Sequence, residues 1–161
     1  MVVQLATNLL GDRDEALDLS QEVFLRVFRT IHRFRGQSTL RTWIYRIAVN
    51  QARNRHRFWR RRHRNDQVSL DAHILLHGEF PSTLGLRPDR VLEQKQLGAR
   101  LHEALDRLPF DQRTAIVLRE IDGLSYEDIA YSLGVAIGTV KSRLTRARQA
   151  LREDLRTERT S

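Results

Sequence analysis

Apolar residues recur along this chain at spacings of three and four, with almost no strict alternation, so the pattern predicts helices and hardly any strand. A first short helix spans about residues 2–10 and is halted by Gly11. Asp12 or Asp14 caps a second, which runs to about His32 and buries Leu19, Val23, Val27 and Ile31, with Phe24 and Phe28 beside them. A loop at residues 34–38 follows, and Ser38 or Thr39 caps a third helix that buries Leu40, Trp43, Ile44, Ile47 and Gln51. Periodicity fails over residues 66–88, where Gly78, Pro81, Gly85 and Pro88 gather; this reads as a linker with a short helix near residues 73–77. Helices resume over residues 89–108 and 111–121, punctuated by Pro109 and Gly123. The expected fold class is all-α: two small helical domains at residues 1–65 and 89–155, a flexible linker between them and a tail at 156–161.

Residues 124–151 carry the most specific local pattern. Residues 126–132 form a short helix, Gly134 sits where the chain must reverse, and a longer helix starts at Ile137. Ile129, Leu133, Val135, Val140 and Leu144 would bury between the two, and Ala130 is small enough for two crossing helices to approach closely. Lys141, Ser142, Thr145, Arg146 and Arg148 face outward on the second helix, cations mixed with short hydrogen-bonding side chains. That mixture suits phosphate contact and reading of base edges by a helix-turn-helix in the major groove.

Charge sharpens this picture. The formal net charge of +8 and pI near 11.0 call for a polyanionic partner, most simply nucleic acid. An anionic membrane surface would compete, but nothing resembles a lipid anchor. Absence of cysteine removes disulfides and thiolate metal sites, and no apolar run reaches the length of a membrane span. A soluble, cytoplasmic protein without membrane insertion is expected. The charge is also segregated. Asp12, Asp14, Glu15, Asp18 and Glu22 crowd the start of the second helix, whereas residues 23–65 hold thirteen arginines and no acid. On the third helix Arg46, Asn50, Arg53 and Arg57 form one stripe, and the Asn50 amide can pair bidentately with adenine. Asp18, Gln21, Glu22 and Leu25 share one side of the second helix, a polar rim around an exposed leucine that suits docking to a basic protein surface.

Several segments in order, DLSQEVFLRVFR (18–29), FRGQSTLRTWIYRIAVNQARN (34–54) and residues 108–151, resemble regions of RNA polymerase sigma factors. The similarity is to the small, two-domain extracytoplasmic-function (ECF) group of the sigma-70 family. It implies a sigma-2-like bundle of three or four helices at residues 1–65 and a sigma-4-like helix-turn-helix domain at 89–155. Residue by residue, it implies that Asp18, Gln21 and Glu22, with Leu25, dock on the core polymerase. Asn50 would read a non-template base of the −10 element within the stripe of Arg46, Arg53 and Arg57. Tyr126, Glu127, Thr139, Lys141, Ser142, Thr145 and Arg146 would face the −35 element. The implied partners are core RNA polymerase, promoter DNA and an anti-sigma factor. Members of that family usually carry further residues ahead of the equivalent of Val2, so the expectation is either that the chain start is misassigned or that Leu19, Val23 and Phe28 are short of packing partners.

Two other function classes make distinct predictions. A free operator-binding regulator would use the same helix-turn-helix as a dimer on a palindrome, but leaves residues 18–57 without a purpose. A DNA-processing enzyme would need metal ligands or grouped carboxylates beside the basic face. His73 and His77 have i, i+4 spacing without the acid of an HExxH motif, and His56 and His63 lie in a basic run that repels cations. No catalytic residue, metal site or cofactor is therefore expected.

Overall fold

A computed structural model describes residues 1–65 and 88–159, with side chains over 1–63 and 90–157. The expected linker up to residue 87, including the histidine pair at 73 and 77, lies outside the described residues, as do residues 160–161. Every regular element among the described residues is helical.

Helix α1 (Val2–Leu10) ends at Gly11, whose φ of 72° lets its N–H bond back to the Thr7 carbonyl. Asp12 then caps α2 (Arg13–Thr30), accepting from the Glu15 N–H, and Asp14 and Glu15 sit favourably in its first turn. A single 3-10 turn (Ile31–Arg33) leads to the loop, and Thr39 Oγ1 caps α3 (Leu40–Asn65) by accepting from the Thr42 N–H. Helices α1, α2 and α3 pack on one another through Leu5, Leu9, Leu19, Val23, Val49 and Ala52, all at most 1% exposed.

The second group begins with α4 (Pro88–Arg107) and α5 (Phe110–Ile116), which continues into one π-helical turn (Val117–Ile121). Ser125 caps α6 (Tyr126–Leu133) by accepting from the Asp128 N–H. Gly134, at φ 65°, reverses the chain into α7 (Ile137–Arg159), which runs past the expected end near Leu151 and takes in most of the expected tail. Ile129, Leu133, Val140, Leu144 and Ala147 close the angle between α6 and α7, each at most 4% exposed.

Some sequence expectations are corrected. Phe24 and Phe28 are 54% and 80% exposed rather than packed beside the core, and Ile31 and Leu40 are also exposed. Leu19 and Val23 are buried against α1 and α3, whereas Phe28 faces outward. The two helix groups also touch: α3 packs on α6 and α5, and buried residues of both join one apolar cluster.

Candidate nucleic-acid interface

On α3, the four- and three-residue spacings set Arg46, Asn50, Arg53 and Arg57 along one side, as the pattern requires. Asn50 and Arg57 are exposed. Arg46 and Arg53 are engaged by the second helix group: the Arg46 guanidinium lies 4.9 Å from the Tyr131 ring centroid, and Arg53 reaches Asp111 at 3.6 Å. Beyond Arg57 the helix presents Phe58, Trp59, Arg60, Arg61 and Arg62 to solvent, with Trp59 stacked on His63. Trp43 is half-buried against Phe34, and Tyr45 is 1% exposed.

The helix-turn-helix holds its outer face apart from this packing. Lys141, Ser142, Thr145 and Arg146 are exposed on α7, Thr139 is half-buried, and the Ser142 and Thr145 hydroxyls donate to the carbonyls of Thr139 and Lys141. Those hydroxyls keep lone pairs free to accept. Glu127 is exposed at the start of α6; Tyr126 is half-buried, with the Arg119 guanidinium 4.8 Å from its ring centroid. Arg148 pairs with Glu120 at 2.6 Å, which removes it from the set of cations free to meet phosphate.

On α2, Asp18, Gln21, Glu22 and Leu25 are all exposed on one side. Glu22 binds Arg55 of α3 at 2.7 Å, and Arg55 also bonds Glu15, so this acidic face is braced from behind. Phe24, Leu25, Val27, Phe28 and Ile31 extend it into an apolar groove.

Sequence reasoning missed three residues at the junction between the helix groups. Arg113 is 6% exposed and donates to the carbonyls of Leu9 (2.8 Å), Asp106 (2.6 Å) and Leu108 (3.3 Å). Burial pulls its pKa down, opposed by Asp106. Its only sequence signal was a cation immediately ahead of the run TAIVL. Asp122 accepts from the Tyr45 hydroxyl at 2.9 Å, and burial raises its pKa while Tyr45 and Arg41 draw it back. Asp111 stands between Arg53 of α3 and Arg143 of α7, 3.4 Å from the latter. Nothing in local periodicity marks either acid as a junction residue.

Comparisons with known proteins settle the family. Residues 1–65 match sigma-70 region 2 and residues 98–151 match sigma-70 region 4. The RNA polymerase sigma-H factor of Pseudomonas aeruginosa is 37% identical over 150 residues, which are 93% of this chain and 78% of that protein. The ECF RNA polymerase sigma-E factor of Escherichia coli is 39% identical over 138 residues, 83% of this chain and 70% of that one. The chain belongs to the sigma-70 family, in its extracytoplasmic-function group. This sigma factor also matches the solved sigma factor RpoE of Bartonella quintana, in complex with its anti-sigma factor NepR, at TM-score 0.74 and 30% identity over 96% of this chain and 89% of that one. CnrH, solved with the cytosolic domain of CnrY, shares the fold at TM-score 0.67 and 24% identity, covering 97% of this chain and 80% of that one. The family is one of promoter-recognition factors for transcription initiation, and the region 2 match accounts for residues that a free helix-turn-helix regulator would leave idle. No described helix is long and apolar enough to cross a membrane.

Proposed function

We propose that this sigma factor seats core RNA polymerase on promoters through three separate surfaces. Asp18, Gln21, Glu22 and Leu25, widened by Phe24 and Phe28, dock on the polymerase. The α3 stripe of Arg46, Asn50, Arg53 and Arg57 holds the opened non-template strand of the −10 element. Thr139, Lys141, Ser142, Thr145 and Arg146 of α7, with Tyr126 and Glu127 of α6, hold the −35 duplex. The chain makes and breaks no covalent bond and uses no metal or cofactor; its work is binding energy spent on strand capture. Each base step opened costs about 1.4 kcal/mol of stacking, so several contacts along α3 must offset several such steps. An anti-sigma factor is proposed as its regulator by likeness to the Bartonella pair, and the cytoplasm as its compartment.

One observation supports this reading: similarity to sigma factors runs over both helix groups, and each group exposes hydrogen-bonding and cationic side chains. The test is reconstitution with core polymerase on a cognate promoter. Defined starts should appear only when this chain is present. Duplex binding without polymerase, and no starts with it, would refute the reading.

A further inference from the structure

The buried residues of α7 fix which side of it faces out. Val140, Leu144 and Ala147 are at most 1% exposed, and the helix packs on α5 and α6. By the helical repeat the opposite line runs through Gly138, Ser142 and Thr145, with Ile137 and Lys141 on one flank and Arg146 on the other. All six are exposed. Four of them carry hydrogen-bonding or cationic groups. The other two, Ile137 and Gly138, stand side by side in the first turn and have no part in the contacts proposed so far.

Gly138 is not required by the fold. Its φ lies outside the left-handed region, and a Cβ built on it would meet nothing within 4 Å among the described residues. Alanine would fit there, and helices favour alanine over glycine. Nothing inside the molecule therefore selects bare backbone on the midline of this face. What bare backbone does provide is closeness: a body lying against it approaches nearer by the width of a side chain. Ile137 is 38% exposed beside it, an apolar side chain on a polar, cationic face. It can neither donate nor accept a hydrogen bond, so it recognises apolar surface alone. The base edges of the major groove display one such feature, the C5-methyl group of thymine. In a helix-turn-helix it is the first residues of the second helix that reach those edges.

We propose that the first turn of α7 determines specificity by shape and by a methyl contact: Gly138 lets the helix seat against the duplex with no side chain between, and Ile137, brought to the groove floor by that approach, packs on the methyl group of a thymine in the −35 element. This rests on the promoter-binding reading above. Lys141 and Arg146 then supply charge for phosphate, and Ser142 and Thr145 supply hydrogen bonds. Ile137 adds a preference that none of those four side chains can make.

The test uses the full chain with core polymerase. A template library randomised upstream of the start, read as RNA 5′ ends, gives the distal element that the parent chain selects. Deoxyuridine is then placed at each selected thymine in turn, which removes the methyl group and nothing else. At one of these positions the parent should lose about threefold to tenfold in start frequency. Ile137→Ala should lose a similar factor on the thymine template and nothing further on the uracil one. Gly138→Ala should melt no lower than the parent, yet start at least about threefold less often from the selected promoter, and Gly138→Leu should lose more. A parent that selects no thymine there or ignores every methyl group, or an Ile137→Ala chain as methyl-sensitive as the parent, would overturn the methyl contact. Unchanged starts in Gly138→Ala, or a lower melting temperature, would overturn the close approach. Starts that still depend on Lys141 and Arg146 in those cases would show that the promoter-binding reading stands without this inference. No starts from the parent would overturn both.

Discussion

Arg113 shows how one side chain sets the geometry of a junction. Its guanidinium closes the end of α4, the start of α5 and the end of α1 by donating to three carbonyls, two of them otherwise at helix ends. Truncation to Met removes the donors and leaves those acceptors buried, which should cost about 2–4 kcal/mol. Urea denaturation should show the midpoint falling with an unchanged slope; an unmoved midpoint would mean that water replaces the guanidinium freely. His56 gives a pH signature. Burial first, then Arg113 and Arg60, lower its pKa, with Asp111 acting in the opposite direction and Phe110 stacked on the ring. A histidine depressed in the folded state binds fewer protons than the unfolded chain just below the ordinary value of about 6.5. Stability should therefore fall as pH drops from that value toward the folded one. Asp122 works in the other direction, because its raised pKa favours the folded state as pH falls through the range above an ordinary aspartate. His56→Phe should flatten the loss seen between neutral and mildly acid pH in thermal melts. A slope identical to the parent's would remove His56 from the account.

Among the elements, α2 and α7 separate binding from stability. Phe28 is 80% exposed, so Phe28→Ala should change stability by no more than about 0.5 kcal/mol. The same change should weaken the complex with core polymerase, measured by competition against the parent, because an exposed aromatic beside Leu25 is the usual form of a docking anchor. Equal competition would place docking elsewhere. On α7, Lys141→Ala and Arg146→Ala should each weaken duplex binding and lower the salt slope by about one unit per lost phosphate contact. Gly134→Ala has open space for its Cβ, so its cost is the positive φ alone, about 1–2 kcal/mol. These elements were readable beforehand because caps and breakers are local: Asp12, Gly11 and Gly134 act within a few residues of themselves. The burial of α2 was misread for a related reason. Phe24, Phe28 and Ile31 continue an apolar period, and period alone does not distinguish a core-facing side chain from one awaiting another protein. The partner of Tyr45 was not legible: Asp122 lies seventy-seven residues away, beyond the reach of any local pattern.

For the whole molecule, the chain pattern announced two helical groups, while their mutual contact was visible only in three dimensions. That contact joins buried apolar residues of both groups in one cluster and adds polar bridges from Arg41, Tyr45 and Arg53. On the proposed function, the amino-terminal group serves polymerase and the opened strand, and the carboxyl-terminal group serves the duplex farther upstream. Mapping RNA 5′ ends with core polymerase and the parent, Asn50→Ala and Lys141→Ala/Arg146→Ala chains tests this division most directly. Asn50→Ala should relax base preference in the element nearest the start and leave the distal one intact, and the α7 double substitution should do the reverse. Uniform loss of starts in both variants, with neither element's preference altered, would contradict it.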